Sequence, residues 1–205
     1  MWTLSLVTPP VLDPLDIIEA EQWCRLDPDL APQDTLLQGA MKTAAINCET
    51  FTRRQLITAT WELWMDSWFE EGVYRDGGLL VPRPPLVSIT NVRYIDTAGV
   101  EQTWPTGVTG YLTQIPVGPQ ATRGRIFPAY GVAWPRYRCQ PGAVKVLFVA
   151  GYGAEPALVP AGLRNGMLLE VAEMYERREL LTIGTISTPN MITAERLWWP
   201  YRATF

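Results

Sequence analysis

The sequence predicts an α+β protein: a small helical bundle with three main helices, an inserted antiparallel β domain, and an extended C-terminal arm. Three observations predict it. Helical spacing governs Asp13–Trp23, Gln33–Phe51 and Pro160–Arg178; a period of two runs from Arg54 to Val149; and no core-forming period survives beyond Leu181. The expected parts are therefore an N-terminal helical part (1–53), the inserted β domain (54–150), a C-terminal helix packing on the N-terminal helices (151–181) and the arm (182–205).

Asp13-Pro14 predicts the first helix start, a capping carboxylate followed by a proline whose missing N–H costs nothing at that position. Leu15 and Ile18 supply a small apolar stripe, and Asp27-Pro28-Asp29 ends the segment. The second helix opens at Pro32, with Leu37, Met41, Ala44, Cys48 and Phe51 recurring at spacings of four and three. Ala40, Ala44 and Ala45 allow another helix to approach closely. From Arg54 the pattern changes: Ile57, Ala59, Trp61, Leu63 and Met65 fall on one strand face, Thr58, Thr60, Glu62 and Asp66 mainly on the other.

Leu79–Val81 reads as a short strand stopped by Pro82, Pro84 and Pro85. Val87–Ile95 and Val100–Trp104 flank Asp96-Thr97-Ala98-Gly99, a hairpin connection with glycine available for a positive φ. Tyr111–Ile115, Arg125–Phe127 and Val144–Val149 are further strands. Pro160 opens the last helix, with Leu163, Met167, Val171 and Met174/Tyr175 on one face. The chain closes on Leu197-Trp198-Trp199-Pro200-Tyr201-Arg202, whose large aromatics are costly to expose. A polar, turn-prone stretch before them suits an arm that orders on binding; the alternative is that it folds back on the β block.

Composition narrows function. A chain of 205 residues, 47% hydrophobic, can bury a core, and it contains no histidine. That removes Ser-His-Asp and Cys-His activation and histidine-ligated metals. Cys24, Cys48 and Cys139 lack C-x-x-C spacing and read as free buried thiols. The hydrophobic segments are too short for a membrane span and Met1–Pro10 lacks the basic start of a signal peptide, so synthesis and folding in the cytoplasm are expected. Within the net charge of −4, residues 1–51 carry a balance of −6, while residues 116–154 hold no acidic residue and five basic ones, Arg123, Arg125, Arg136, Arg138 and Lys145. Such asymmetry is either chance clustering on a solvated surface or the two ends of a head-to-tail contact between copies.

Motifs for chemistry are weak. Gly151-Tyr152-Gly153 lacks a third glycine and lies too far before the helix to place a phosphate at its N-terminus. Asp66, Glu70 and Glu71, flanked by Trp64, Trp68 and Phe69, could imitate a sugar-binding cleft, but read more simply as a polar loop after a strand. Arginines 123–138 interleave with Phe127, Tyr130, Trp134 and Tyr137; an acidic chain nearly without lysine fits a protein-binding surface better than a general nucleic-acid binder.

An ordered set of residues carries a resemblance. It comprises Ala44-Ala45-x-x-Cys48-Glu49-x-Phe51-Thr52-Arg53-Arg54, Thr60-Trp61, Val81-Pro82-Arg83-Pro84-Pro85-Leu86-Val87-Ser88-Ile89 and Tyr94-Ile95-Asp96-Thr97-Ala98-Gly99. Trp134-Pro135, Val149-Ala150-Gly151-Tyr152-Gly153, and Val159-Pro160-x-x-Leu163-Arg164 leading to Tyr175-Glu176-Arg177-Arg178-Glu179 complete it. Over roughly residues 10–180 the chain resembles the head–tail connector (adaptor) family of long-tailed bacteriophages, in the branch with a β insertion between helices.

The resemblance implies a non-enzymatic structural virion protein with no cofactor and no metal. Such a protein forms a homo-oligomeric, commonly dodecameric, ring in the neck between capsid and tail. Its implied partners are the portal protein, a stopper or tail completion protein, other copies of itself, and genomic DNA passing through the lumen without sequence-specific binding; no membrane is involved. The expected interface with the portal or a neighbouring subunit falls on Trp198, Trp199, Tyr201, Arg202, Arg123, Arg125, Arg136 and Arg138. Alternatives are another neck protein, a stopper or tail terminator, and a carbohydrate-binding β protein.

Overall fold

A computed structural model describes residues 1–26, 34–177 and 190–203. The fold is α+β, with four helices and two antiparallel sheets among the described residues, and it divides into two compact units. One comprises Met1–Pro10 and Thr58–Tyr152 with Ala203; the other comprises Val11–Ile57 and Gly153–Arg202.

The β unit contains β1 (Trp2–Thr8), β2 (Ala59–Met65), β3 (Tyr74–Arg75), β4 (Gly78–Val81), β5 (Leu86–Ile95), β6 (Glu101–Trp104), β7 (Tyr111–Gln114), β8 (Gly124–Pro128) and β9 (Val144–Ala150). They form a five-stranded sheet ordered β1-β2-β9-β5-β6 and a four-stranded sheet ordered β3-β4-β8-β7. The strand β9 shows why: Val144, Val146, Phe148 and Ala150 alternate into the core while the residues between them face outward. Leu63 and Met65 of β2, Leu79 and Val81 of β4 and Ile126 of β8 join the same cluster. Side chains from both sheets thus share one core, as in a sandwich. Trp68 lies fully buried within it, 5.2 Å from Trp104 and 5.1 Å from Trp134 between ring centroids. Its indole N–H donates to the Pro135 carbonyl at 3.0 Å.

Two features here depart from the sequence reading. Residues 2–8, expected in an N-terminal helical part, pair antiparallel with β2. The β block is also two sheets, with Tyr74-Arg75 forming a hairpin to β4 through Asp76-Gly77. Both turn residues have positive φ (51° and 78°), the backbone of a type I′ connection. At the expected Asp96–Gly99 turn, the Asp96 carboxylate accepts from the Ala98 and Val100 amides at 2.9 and 3.0 Å.

The helical unit contains α1 (Ile17–Trp23), α2 (Asp34–Thr52), α3 (Ala161–Arg177) and α4 (Asn190–Trp198). The first helix starts later than Asp13-Pro14 suggests, because Asp16 is the cap and accepts from the Ile18 amide at 2.9 Å. Leu37, Met41, Ala44 and Cys48 of α2 are buried as their spacing predicts, together with Leu163, Met167 and Val171 of α3. The thiols divide: Cys48 is buried, Cys24 half-buried and Cys139 exposed, so the expectation of three buried thiols holds for one. Burial first, then the nearby Glu49 and Glu170 carboxylates, pushes the Cys48 thiol far up.

The C-terminal segment corrects the extended-arm expectation. Residues 190–201 form α4 and a 3-10 turn over Trp199–Tyr201 rather than an arm without structure. Trp198 is 3% exposed, donates its indole N–H to the Leu163 carbonyl at 3.2 Å, and packs 6.0 Å from Phe51 between ring centroids. Gly166 makes room for it: an added Cβ would meet the indole nitrogen at 2.2 Å. Burying so large an apolar ring is strongly favourable, so the aromatic end folds back on the helices. The polar stretch 182–189 lies outside the described residues.

Candidate interaction surfaces

Glu49, singled out in the segment closing α2, accepts from the Gln55 side chain at 2.9 Å and from the Leu56 amide at 3.0 Å, holding the chain as it leaves the helix. Arg53 takes a positive φ of 58° at that exit. Arg54, 2% exposed, donates through Nε to the Tyr201 carbonyl. Those residues are structural. What remains outward beside them is Trp199, 63% exposed, with the Arg202 guanidinium 5.4 Å from the ring centroids of both Trp199 and Phe51. An exposed aromatic carrying a stacked arginine has the composition of a protein-binding hot spot.

The expected interface residues therefore separate. Trp198 and Arg123 are buried, the latter donating to the Gly72 carbonyl at 3.4 Å, and neither is presented as the sequence reading required. Tyr201 is half-buried and Arg125 partly buried, whereas Arg136, Arg138, Trp199 and Arg202 are exposed. Arg123 and Arg125 do meet in one place, a cleft of about 270 Å³ lined also by Arg75, Asp76, Leu80 and Gln114.

That cleft is built on the four-stranded sheet. Leu80, Arg125 and Gln114 stand in register across β4, β8 and β7, while their neighbours Leu79, Val81 and Ile126 point into the core. The row thus faces away from the core. The tight Asp76-Gly77 turn presents Arg75 beside it. One carboxylate, Asp76, serves two guanidinium groups, Arg125 at 3.1 Å and Arg75 at 3.6 Å. The strand position of Arg125 was anticipated and that of Arg75 was not; the missed signal was Asp76-Gly77, a strong hairpin dipeptide.

The proposed sugar cleft does not assemble. Trp68 is in the core, and Asp66 accepts from the Gly142 amide at 2.8 Å and from the Met1 α-ammonium at 2.9 Å. The backbone amide, then the ammonium, holds the Asp66 carboxyl below its ordinary range. Glu70 also contacts that ammonium. Among the described residues, no group of three or more carboxylates and thiols is arranged to hold a metal, and no helix is long and apolar enough to cross a membrane. Gly151-Tyr152-Gly153 is likewise structural: the Gly151 amide donates to the Pro85 carbonyl at 3.0 Å and Gly153 bridges to Ile57.

No protein-family model matches the chain, and no curated protein sequence matches it. Solved structures do. A chain in the virion of a native gene transfer agent particle is 25% identical, with a TM-score of 0.71 over 99% of this chain and 96% of that one. A chain in the neck of an empty particle of this kind, computed with C6 symmetry, is 24% identical with a TM-score of 0.73 over the same shares. A third, in the neck of a native particle computed with C12 symmetry, is 23% identical with a TM-score of 0.69, again over 99% and 96%. The fold of this chain, along almost its whole length, is that of a component of such particles.

Proposed function

We propose that this chain is a structural neck protein of a tailed-phage-type virion, more narrowly a head–tail connector (adaptor). In this reading, copies form a ring, most simply a dodecamer, beneath the portal; the ring extends the DNA channel and docks the stopper or the tail. The observation that carries it is the match to neck chains over 99% of this chain. The C6 and C12 symmetries of those necks support a ring. Genomic DNA passes through the lumen without sequence-specific contacts, and no catalysis is needed.

Trp199 and Arg202 are the residues best disposed to meet the portal or an adjacent subunit, with Arg136 and Arg138 as further contacts. Trp198 and Arg123 act indirectly, by holding the surfaces that present their neighbours. The test is depletion and add-back. Particles assembled without the chain should be filled heads lacking tails, and the purified chain should restore tailed particles. Addition of Trp199→Ala/Arg202→Ala protein should restore fewer. Normal tailed particles without the chain would overturn the proposal.

A further inference from the structure

We infer, taking the ring reading as given, that the open edge of β1 pairs with the β6 edge of a neighbouring copy, continuing the five-stranded sheet from one subunit into the next. Among the described residues β1 pairs with β2 alone and ends that side of the sheet. The direction of its backbone groups follows from the ladder. The Asp66 amide donates to the Met1 carbonyl at 3.3 Å, so Met1 and Asp66 form a hydrogen-bonded pair. Bonded and non-bonded pairs alternate along an antiparallel ladder. Thr3 and Ser5 therefore bond across to β2, while Trp2, Leu4 and Leu6 turn their N–H and C=O groups toward the open side.

That edge lacks the devices that keep sheets apart. Natural edge strands are very short, or carry charge or proline. The strand β3 spans two residues; β7 spans four, its Tyr111 amide and carbonyl already bonded to Pro105 and Gly107, with Pro116 just beyond. By contrast β1 runs for seven residues, Trp2 to Thr8, with neither charge nor proline. Its one irregularity falls between Leu6 and Thr8 and leaves Trp2–Leu6 in regular register. Main-chain hydrogen bonds to an added strand supply the affinity in contacts of this kind.

The occupant follows from the other side of the same sheet. The Asp96 amide donates to the Val100 carbonyl at 2.9 Å, and the same alternation leaves Glu101 and Thr103 of β6 with backbone groups turned outward. Glu101 is matched within its own sheet by Arg93 and Lys145, so an uncharged β1 leaves no carboxylate in need of a cation. Four antiparallel pairings separate the two edge strands. They therefore run in the same direction, and the joint between copies is parallel. Each subunit that offers β1 to one neighbour keeps β6 for the next. Head-to-tail contacts of this sort close into rings, and the matching necks have C6 and C12 symmetry. A pairing of β1 with a second β1 would stop at two copies.

Covalent joining of the two edges tests this. Ser5 stands opposite Glu62 and Thr103 opposite Arg93, residues that meet on the outward face, so Ser5 and Thr103 share that face across the joint. In the full chain carrying Cys139→Ser, which removes the exposed thiol, Ser5→Cys and Thr103→Cys are combined. The protein is then bound to portal-bearing capsids lacking tails. A short bis-maleimide should yield a ladder of linked copies, and either cysteine alone should yield no more than the Cys139→Ser parent. Leu6→Pro removes an outward N–H and no bond to β2, so it should leave the melting temperature unchanged and reduce the copies bound severalfold. Ser5→Pro, which removes a bond within the sheet, should lower the melting temperature. Should Leu6→Pro fold poorly, Thr103→Pro blocks the same joint from the β6 side.

Linked dimers from Ser5→Cys alone would mean that β1 pairs with itself and would overturn the inference. Normal loading of the doubly substituted protein without a ladder, or normal loading of folded Leu6→Pro, would overturn it too. Failure of the ring reading looks different: wild-type protein would not load on the capsids at all, and the joint would fall with the ring.

Discussion

The outward faces of the two sheets handle charge in different ways. On the five-stranded sheet, Arg93 of β5 reaches Glu62 of β2 and, at 3.2 Å, Glu101 of β6; Lys145 of β9 meets Glu101 at 3.0 Å and lies 4.6 Å from the Trp64 ring centroid. Two cations and two anions from four strands neutralise one another. On the four-stranded sheet, a single carboxylate, Asp76, serves two arginines, Arg125 at 3.1 Å and Arg75 at 3.6 Å. The first face ties four strands together through a shared network; the second ties the β3–β4 hairpin to β8 through one shared carboxylate. Adjacent tryptophans repeat the contrast, Trp198 turned inward at 3% exposure and Trp199 outward at 63%. Residue type alone did not distinguish members of either pair.

Substitutions should separate the inward members from the outward ones. Trp198→Ala should destabilise the helical unit by about 3–5 kcal/mol, the range for truncating a buried aromatic, while Trp199→Ala should change stability by less than about 1 kcal/mol and act on assembly. Chemical denaturation of the two variants side by side checks this, and equal losses would erase the contrast. The same packing means that deleting residues 192–205 should destabilise the protein, as Trp198 is lost from the helical unit.

Arg93→Met should cost about 2 kcal/mol, because it leaves the part-buried Glu62 carboxylate without its cation. Arg125→Gln, on the other sheet, should cost about 0.5 kcal/mol or less, as an exposed pair does. Thermal melts of these two variants would reverse the account of the two faces if Arg125 proved the more costly.

Glu170 of α3 offers a smaller effect with a sign of its own. It is 6% exposed; one oxygen accepts from Asn47 at 2.5 Å and the other has no hydrogen-bond partner. Burial, opposed in part by Asn47 and reinforced by Glu195, raises its carboxyl above the ordinary 4.5. Its contribution is therefore fully present below pH 4.5 and is lost as pH rises through the raised folded value. Glu170→Gln should stabilise the protein at neutral pH by about 1 kcal/mol, by removing a buried charge.

Glu101 behaves oppositely. Hydrogen bonding from Lys145, then the charge of Arg93, holds its carboxyl below the ordinary 4.5. That contribution is present above pH 4.5 and fades as pH falls through the lowered value. Melts of Glu101→Gln should lose part of the acid sensitivity of the wild type, and an unchanged acid limb would remove the network from the β unit's stability.

These contrasts also mark what the sequence made legible. Strong local periods specified α2, α3, β9 and the β5–β6 hairpin, because Leu37-Met41-Ala44-Cys48 and Val144-Val146-Phe148 each encode a face without reference to distant residues. The division into two sheets depended on long-range pairing, such as Leu63 with Val146, which local pattern cannot supply. The strand β1 is a short segment with no turn signal before it, and its pairing partner lies some sixty residues away in β2. Helix α4 follows a polar stretch; its signal was the spacing of Met191, Ala194 and Trp198, and the indole's acceptor is on α3. Of the site, the arginine-rich character of residues 123–138 was visible, but not that Arg75 joins Arg123 and Arg125, since a hairpin and a sheet register bring them together.

The most direct test of the neck reading is negative-stain imaging of the purified chain mixed with portal-bearing capsids that lack tails. The account predicts an added ring of density at the portal vertex of each capsid, absent from capsids without portal and reduced with Trp199→Ala/Arg202→Ala. Bare portal vertices after mixing, or density bound only to free tails, would contradict it.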